Sequence, residues 1–354
     1  MTNSLNYYSH KKDFETDCGF IIAKPVVAYH SWGVLNEKKD NVVLICHALT
    51  GTSDAEDWFS GFFKEGFFNP EKQFIICMNV LGGCYGTSGP QNVNPLTEKK
   101  YKSDFPKVTI RDMVRLQQLT LNEFGVTGIE LAIGGSMGGM QILEWSIMDN
   151  RIEKMIVIGA PAKHSAWAIG IGEAQRNAIY ADHYWNNGNY DEDTFPAQGL
   201  ASARMMGMLT YRTYLSFQKR FGRDKQHGVN EFAIESYLSY QGQKLVKRFD
   251  AMTYVRLTQA MDSHDITYNR GTMRSVLNQV NIPSLIIGID SDILYPTVEQ
   301  TEIAQYLPRG YYKEIKSIHG HDAFLIEFDQ MIKLISPFLQ VVESSISLKK
   351  VSYI

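Results

Sequence analysis

Residues 129–145 read IELAIGGSMGGMQILEW. Ile129–Ile133 is a short aliphatic run of the kind that forms a buried strand, and MQILEW after the glycines has helical spacing. Between them Gly134-Gly135-Ser136-Met137-Gly138 fits G-x-S-x-G, with a strand before it and a helix after it. That is the context of a nucleophile elbow. Such a sharp strand-to-helix turn strains the serine backbone, and small flanking residues are needed to avoid collisions. The serine oxygen then projects above the sheet, and the Met137 amide lies at the start of the following helix.

Working outward, Val42–Cys46, Phe74–Met78 and Met155–Ile158 repeat the pattern of short Val- and Ile-rich runs, as do Ser284–Ile289 and Tyr311–Ile315. Longer helix-period segments separate them, which predicts a sheet covered by helices. Thr109–Phe124 places Ile110, Met113, Val114, Leu116, Leu119 and Leu121 at mostly helical spacing, and a final helical stretch is predicted from residue 321 to about 343. The alternation stops between about Ala162 and Gly271. This segment has no convincing buried strand and contains helical stretches at Gly199–Tyr211 and Glu231–Phe249. It reads as a helical insertion between two strands. LGGCYGTSGPQNVNP, Leu81–Pro95, reads as a structured, turn-rich loop.

The chain has 354 residues, enough for one large α/β domain with an insertion or for two domains. Its 35 Lys+Arg against 38 Asp+Glu leave a net charge of −3, so no basic footprint points to nucleic acid or to an anionic membrane. Hydrophobic residues at 44% and charged residues at 21% exclude disorder as the main state. Cys18, Cys46, Cys77 and Cys84 are too few for a disulfide scaffold, and Cys46 and Cys77 lie in apolar runs where a buried thiol is expected. There is no signal-peptide pattern at the N-terminus and no run of 18 apolar residues, so a reduced, soluble, cytoplasmic protein is expected. No G-x-G-x-x-G lies in a first βαβ unit and no P-loop is present, so nothing predicts a bound nucleotide cofactor.

A serine nucleophile needs a base held by an acid, supplied in the chain order Ser, Asp or Glu, His. The strand Ser284–Ile289 runs into Asp290-Ser291-Asp292, and the next strand into His319-Gly320-His321-Asp322. Both loops follow the carboxyl ends of strands, where α/β sheets place their sites. Two aspartates and two histidines compete, and spacing does not choose between them. A metal pair at His319 and His321 lacks a third ligand. An oxyanion hole is expected from the Met137 amide and an amide of the turn after Val42–His47, namely Ala48-Leu49-Thr50-Gly51. His47 itself reads as a strand-end histidine bonded to backbone.

Several blocks resemble the homoserine O-acetyltransferase family of the α/β-hydrolase superfamily. They are CHALTG (46–51), NVLGGCYGTSGP (79–90), DFPKVTIRDMVRLQ (104–117), GGSMGGMQILEW (134–145), ARMMGMLTYR (203–212), SDILYP (291–296) and GHDAFLIE (320–327). Thr87-Ser88 stands where the family usually has Ser-Thr; the pair stays hydroxylic and little change is expected. The resemblance implies an α/β-hydrolase fold with a mostly parallel central sheet flanked by helices. It implies a core domain from residues 1–161 and 271–354, with a helical lid domain at 162–270.

By the same resemblance, Ser136 is the nucleophile, Asp292 the acid and His321 the base, with oxyanion donors at the amides of Leu49 (or Thr50) and Met137. Arg204, Tyr211 and Asp322 map to substrate contacts. The implied reaction is ping-pong transfer of an acetyl group from acetyl-CoA to L-homoserine in methionine synthesis, with no bound cofactor or metal and a homodimer formed through the lid helices. The chemistry of the substrate agrees: homoserine is a zwitterion, an arginine offers a planar donor fork for its carboxylate, and an aspartate can accept from its ammonium group. Transfer from succinyl-CoA, transfer to serine, and plain ester hydrolysis use the same triad and remain open on sequence alone.

Overall fold

The computed structural model describes residues 4–226 and 230–351, with side chains to Gln340. Its centre is an eight-stranded sheet of β1 (Asn6–Ser9), β2 (Val26–Trp32), β3 (Val42–Cys46), β4 (Phe74–Met78), β5 (Ile129–Gly135), β6 (Met155–Ile158), β7 (Ser284–Ile289) and β8 (Gly310–Ile315). The spatial order is β1-β2-β4-β3-β5-β6-β7-β8. β2 pairs antiparallel with β1 and β4, and every other pairing is parallel. The six parallel strands are those expected from their apolar runs. β1 and β2 lack such a run: NYYS alternates half-buried and exposed positions at the sheet edge, and VVAYHSW is only partly covered.

Every residue of β3, β6 and β7 is buried, because helices lie on both faces of the sheet. The period of two then divides the strands between two cores. Val42, Leu44 and Cys46 join helices α1 (Ile110–Glu123) and α2 (Met137–Met148) on one face. Val43 and Ile45 join Phe59, Phe62, Phe68 and Met331 on the other. α1 starts at a reciprocal cap: the Thr109 hydroxyl accepts from the Asp112 N–H, and the Asp112 carboxylate accepts from the Thr109 N–H, both at 3.0 Å.

Between β6 and β7 the chain forms helices α3 (Ala166–Tyr180), α4 (Ala197–Tyr211), α5 (Tyr214–Phe221), α6 (Ala233–Val246) and α7 (Ala251–Asp262). The two ends of this segment meet as a short antiparallel neck, with Lys163 bridged to Asp265, His164 N–H donating to His264 O at 2.9 Å and Ile266 N–H to Ala162 O at 3.0 Å. After β7 come α8 (Thr297–Tyr306), β8 and a C-terminal region that differs from the expected single helix from residue 321. A 3₁₀ turn over Gly320–Leu325 comes first, and α9 starts only at Phe328 and runs to Val351. The turn begins at Gly320 with φ 65°, outside helical backbone. That keeps His321 in a loop over the sheet.

The helix after the elbow packs very close to β3. A Cβ on Gly138 would lie 2.1 Å from the Cys46 carbonyl oxygen, and one on Gly134 would lie 2.5 Å from the backbone of Gly138. Gly138→Ala is therefore expected to lower stability by about 3 kcal/mol or more, as in the worse cases of overpacking. A denaturant titration against the parent protein checks this; an unchanged midpoint would mean the helix can move off the strand.

Candidate active site

Ser136 sits between β5 and α2 with φ 57° and ψ −127°, a strained backbone for a non-glycine residue. Two backbone bonds hold it there. Its N–H donates to Ile158 O at 2.9 Å, and its carbonyl accepts from Met140 N–H at 3.1 Å. Met137 is the first residue of α2, so its N–H has no partner within the helix. The turn after β3 is closed by Gly51 N–H on Ala48 O at 2.9 Å, with Leu49 and Thr50 at its centre. His47 anchors that turn. Its Nδ1 lies 2.8 Å from Ala48 O, and its Nε2 accepts from the Val80 N–H at 3.2 Å. Burial brings its pKa down to about 4, so the ring is neutral, as expected of a backbone-bonded strand-end histidine. Arg248, which sequence reasoning did not single out, adds a clamp from the helical segment: Nη1 donates to Thr50 O at 2.8 Å and to the Tyr85 hydroxyl at 2.6 Å.

Of the competing acids and bases, Asp292 and His321 meet. His321 Nδ1 lies 2.6 Å from Asp292 Oδ2, and both side chains are buried. The other carboxylate oxygen accepts from the N–H groups of Leu294 and Tyr295 at 2.8 and 3.0 Å. The acid is thereby locked and the His321 ring turned so that Nε2 is left for another partner. Burial pulls the imidazolium of His321 down, but the charge and hydrogen bond of Asp292, aided by Asp322, outweigh it and the net direction is upward. Asp290 is exposed and accepts from Ser317 N–H at 3.0 Å, while His319 Nδ1 lies 3.2 Å from Arg212 Nη1. Ser136 Oγ makes no hydrogen bond to His321 in this structure.

The residues singled out as substrate contacts cluster beside this pair. The Tyr211 ring lies 5.9 Å from that of His321, and the Arg204 guanidinium sits 5.6 Å over the Tyr211 ring. Arg204 makes no ion pair among the described residues, which leaves its donor fork available. Asp322 is different: Arg212 Nε holds its Oδ2 at 3.2 Å. Arg212 ends the ARMMGMLTYR block, and a lone arginine at the end of a helix gave no signal of this contact. Burial pushes the Asp322 carboxyl up, against Arg212, His321 and Arg204, which pull it down.

The sheet order, the strained serine turn and the Asp292–His321 pair define a protein of the α/β-hydrolase class, and the family described as alpha/beta hydrolase fold matches residues 41–328. Within that class the chain belongs to the homoserine O-acetyltransferase family. It is 49% identical to the homoserine O-acetyltransferase of Chloroherpeton thalassium, covering 96% of this chain and 93% of that one. To that of Nostoc punctiforme it is 51% identical, covering 95% and 96%. Among solved structures, a homoserine O-acetyltransferase from Bacillus anthracis superposes with a TM-score of 0.88 at 23% identity, covering 96% of this chain and 98% of that one. Esterase E22 superposes with 0.85 at 24%, covering 96% and 100%. At those identities the two structures speak to the fold.

Because Asp322 helps to raise the His321 pKa, removing its charge should lower it. Titration of the His321 ring by NMR in Asp322→Asn should give a midpoint below that of the parent protein. A midpoint equal to or above it would mean that the Arg212 ion pair already cancels the Asp322 charge at the ring.

Proposed function

We propose that this protein is a homoserine O-acetyltransferase that moves the acetyl group of acetyl-CoA to the hydroxyl of L-homoserine through an acetyl-Ser136 intermediate, in methionine synthesis. The observation that carries the reading is the 2.6 Å Asp292–His321 pair in a chain that has a strained Ser136 turn and is about half identical over its whole length to enzymes of that name. Asp292 fixes the tautomer with the proton on Nδ1, so His321 Nε2 takes the Ser136 proton as Oγ attacks the thioester carbonyl. The developing oxyanion lies between the N–H groups of Met137 and Leu49. The thiolate of coenzyme A leaves with the proton from His321. Homoserine then enters, His321 Nε2 takes its hydroxyl proton as the oxygen attacks the acetyl carbonyl, and Ser136 Oγ leaves and takes that proton back from His321.

Arg204 suits the carboxylate of homoserine because no protein carboxylate occupies it and the Tyr211 ring, on which it packs, also neighbours the base. Asp322 receives the ammonium group by sharing its charge between that group and Arg212. No resident cofactor enters this scheme; acetyl-CoA is a substrate. In this reading residues 162–270 form a lid domain over a core of 1–161 and 271–354. Met206, Leu209, Tyr214 and Leu215 are exposed on that segment, which supports a homodimer through it. Among the described residues no helix is long and apolar enough to cross a membrane, and a cytoplasmic setting fits a coenzyme A donor.

The test offers acetyl-CoA and succinyl-CoA against homoserine and serine, with products read by mass spectrometry. O-acetylhomoserine is the expected dominant product. Succinyl transfer, transfer to serine, or hydrolysis without transfer would contradict the reading. Arg204→Ala should lose on the order of 2–4 kcal/mol in kcat/KM for homoserine, mainly through KM, and leave acetylation of Ser136 close to normal. Equal losses in both half-reactions would place Arg204 in the donor site or in the fold instead.

A further inference from the structure

Another histidine, its side chain almost fully covered, joins the helical segment to the acid–base pair. His164, at the neck of the segment, has Nδ1 3.2 Å from Asp262 Oδ1 and Nε2 3.0 Å from the Tyr295 hydroxyl. The other oxygen of Asp262, at the end of α7, receives Arg176 Nη2 from α3 at 2.6 Å. Arg176 also donates to Glu173 at 2.8 Å. A carboxylate held in an ion pair accepts only, so Nδ1 of His164 carries a proton, and in the neutral ring Nε2 accepts from the Tyr295 O–H. Burial holds that phenol well above its ordinary pKa, so it stays a donor.

Tyr295 is also part of the acid's support. Its N–H donates to Asp292 Oδ1 at 3.0 Å, and its fully buried ring meets that of His321 edge-on at 5.2 Å. The route Arg176–Asp262–His164–Tyr295 therefore ends on both Asp292 and His321, with its first three members in the helical segment and its last in the core. Burying an ion pair and a histidine where apolar side chains would pack costs stability, so the network is better explained by what it holds than by what it stabilises.

We propose that His164, held by Asp262 and Arg176, is a positioning residue for acyl transfer that acts through Tyr295 to fix the Asp292 carboxylate and the His321 ring. The proposal rests on the role given above to His321 as the base. It makes the helical segment a working part of the base and not only a cover over the site. Besides Asp292, Asp322 acts on His321 and is itself opposed by Arg212 and Arg204, and near Asp292 lies Glu299, whose carboxyl is pushed up to about 7 by burial and by Asp292 and Glu302. The test leaves all of these unchanged.

Tyr295→Phe removes only the hydroxyl, and His164→Leu removes the bonds on both sides of it. The readout is the p-nitrophenol burst with p-nitrophenyl acetate, with its amplitude counting reactive serines and its rate measured across pH. Per reactive serine, both variants should acylate about tenfold more slowly or worse, since small misplacements of a catalytic group are costly. The acidic limb of the profile should move to lower pH, because a loosened Asp292 raises the His321 pKa less. The double variant should be no worse than the poorer single one, as both act through one path. An unchanged rate per serine with an unmoved limb, and only a lower melting temperature, would make the network purely structural and overturn the proposal. If His164→Leu fails to fold, Tyr295→Phe alone decides. A parent protein that gives the ester burst but takes no acetyl group from acetyl-CoA would refute the proposed function while leaving this test readable.

Discussion

Holding Ser136 at φ 57° costs backbone strain, and the surroundings of the elbow are arranged so that the cost is met. α2 must start one residue after the strand and lie against β3 so closely that only glycine fits at position 138. That contact brings the first N–H of α2 and the turn after β3 to the same end of the sheet. His47 and Arg248 then fix the turn from two sides. Packing therefore holds both the serine turn and the turn after β3, which suits the preorganised donors that the proposed acyl transfer needs.

Charge is distributed around His321 with similar economy. Asp292 has both oxygens occupied, one by His321 and the other by two backbone donors, so the acid cannot turn away. Asp322 and Arg212 form a neighbouring pair, and Arg204 is left over an aromatic ring without a carboxylate. An unpaired guanidinium near enough for its charge to act on a paired carboxylate suits a zwitterion, and it has less use in a site that only hydrolyses neutral esters.

Much of this was legible in the sequence because steric constraints leave fixed residue types at fixed spacing. Gly134, Ser136 and Gly138 mark the elbow, and strands buried on both faces appear as unbroken aliphatic runs. The edge strands β1 and β2 were not legible, since a half-exposed strand has no such run. Asp290 and Asp292 could not be told apart by spacing; the choice depends on Leu294 and Tyr295 turning their N–H groups back onto Asp292. The C-terminal helix looked continuous from residue 321 because GHDAFLIE is apolar enough for one, but Ile326, at φ −127° and ψ −44°, leaves helical backbone and separates that turn from α9. Arg212, Arg248 and His164 were missed because each acts through one long-range contact and belongs to no local pattern.

The proposed reaction requires a covalent acetyl group at one serine. The direct measurement is mass spectrometry of the intact protein and its peptides after mixing with acetyl-CoA alone, followed by a homoserine chase. One acetyl group should appear on the peptide that contains Ser136 and should leave on the chase as O-acetylhomoserine. No acetyl group at Ser136 under conditions where O-acetylhomoserine still forms would mean direct transfer between the two substrates, and the elbow would have lost its assigned purpose.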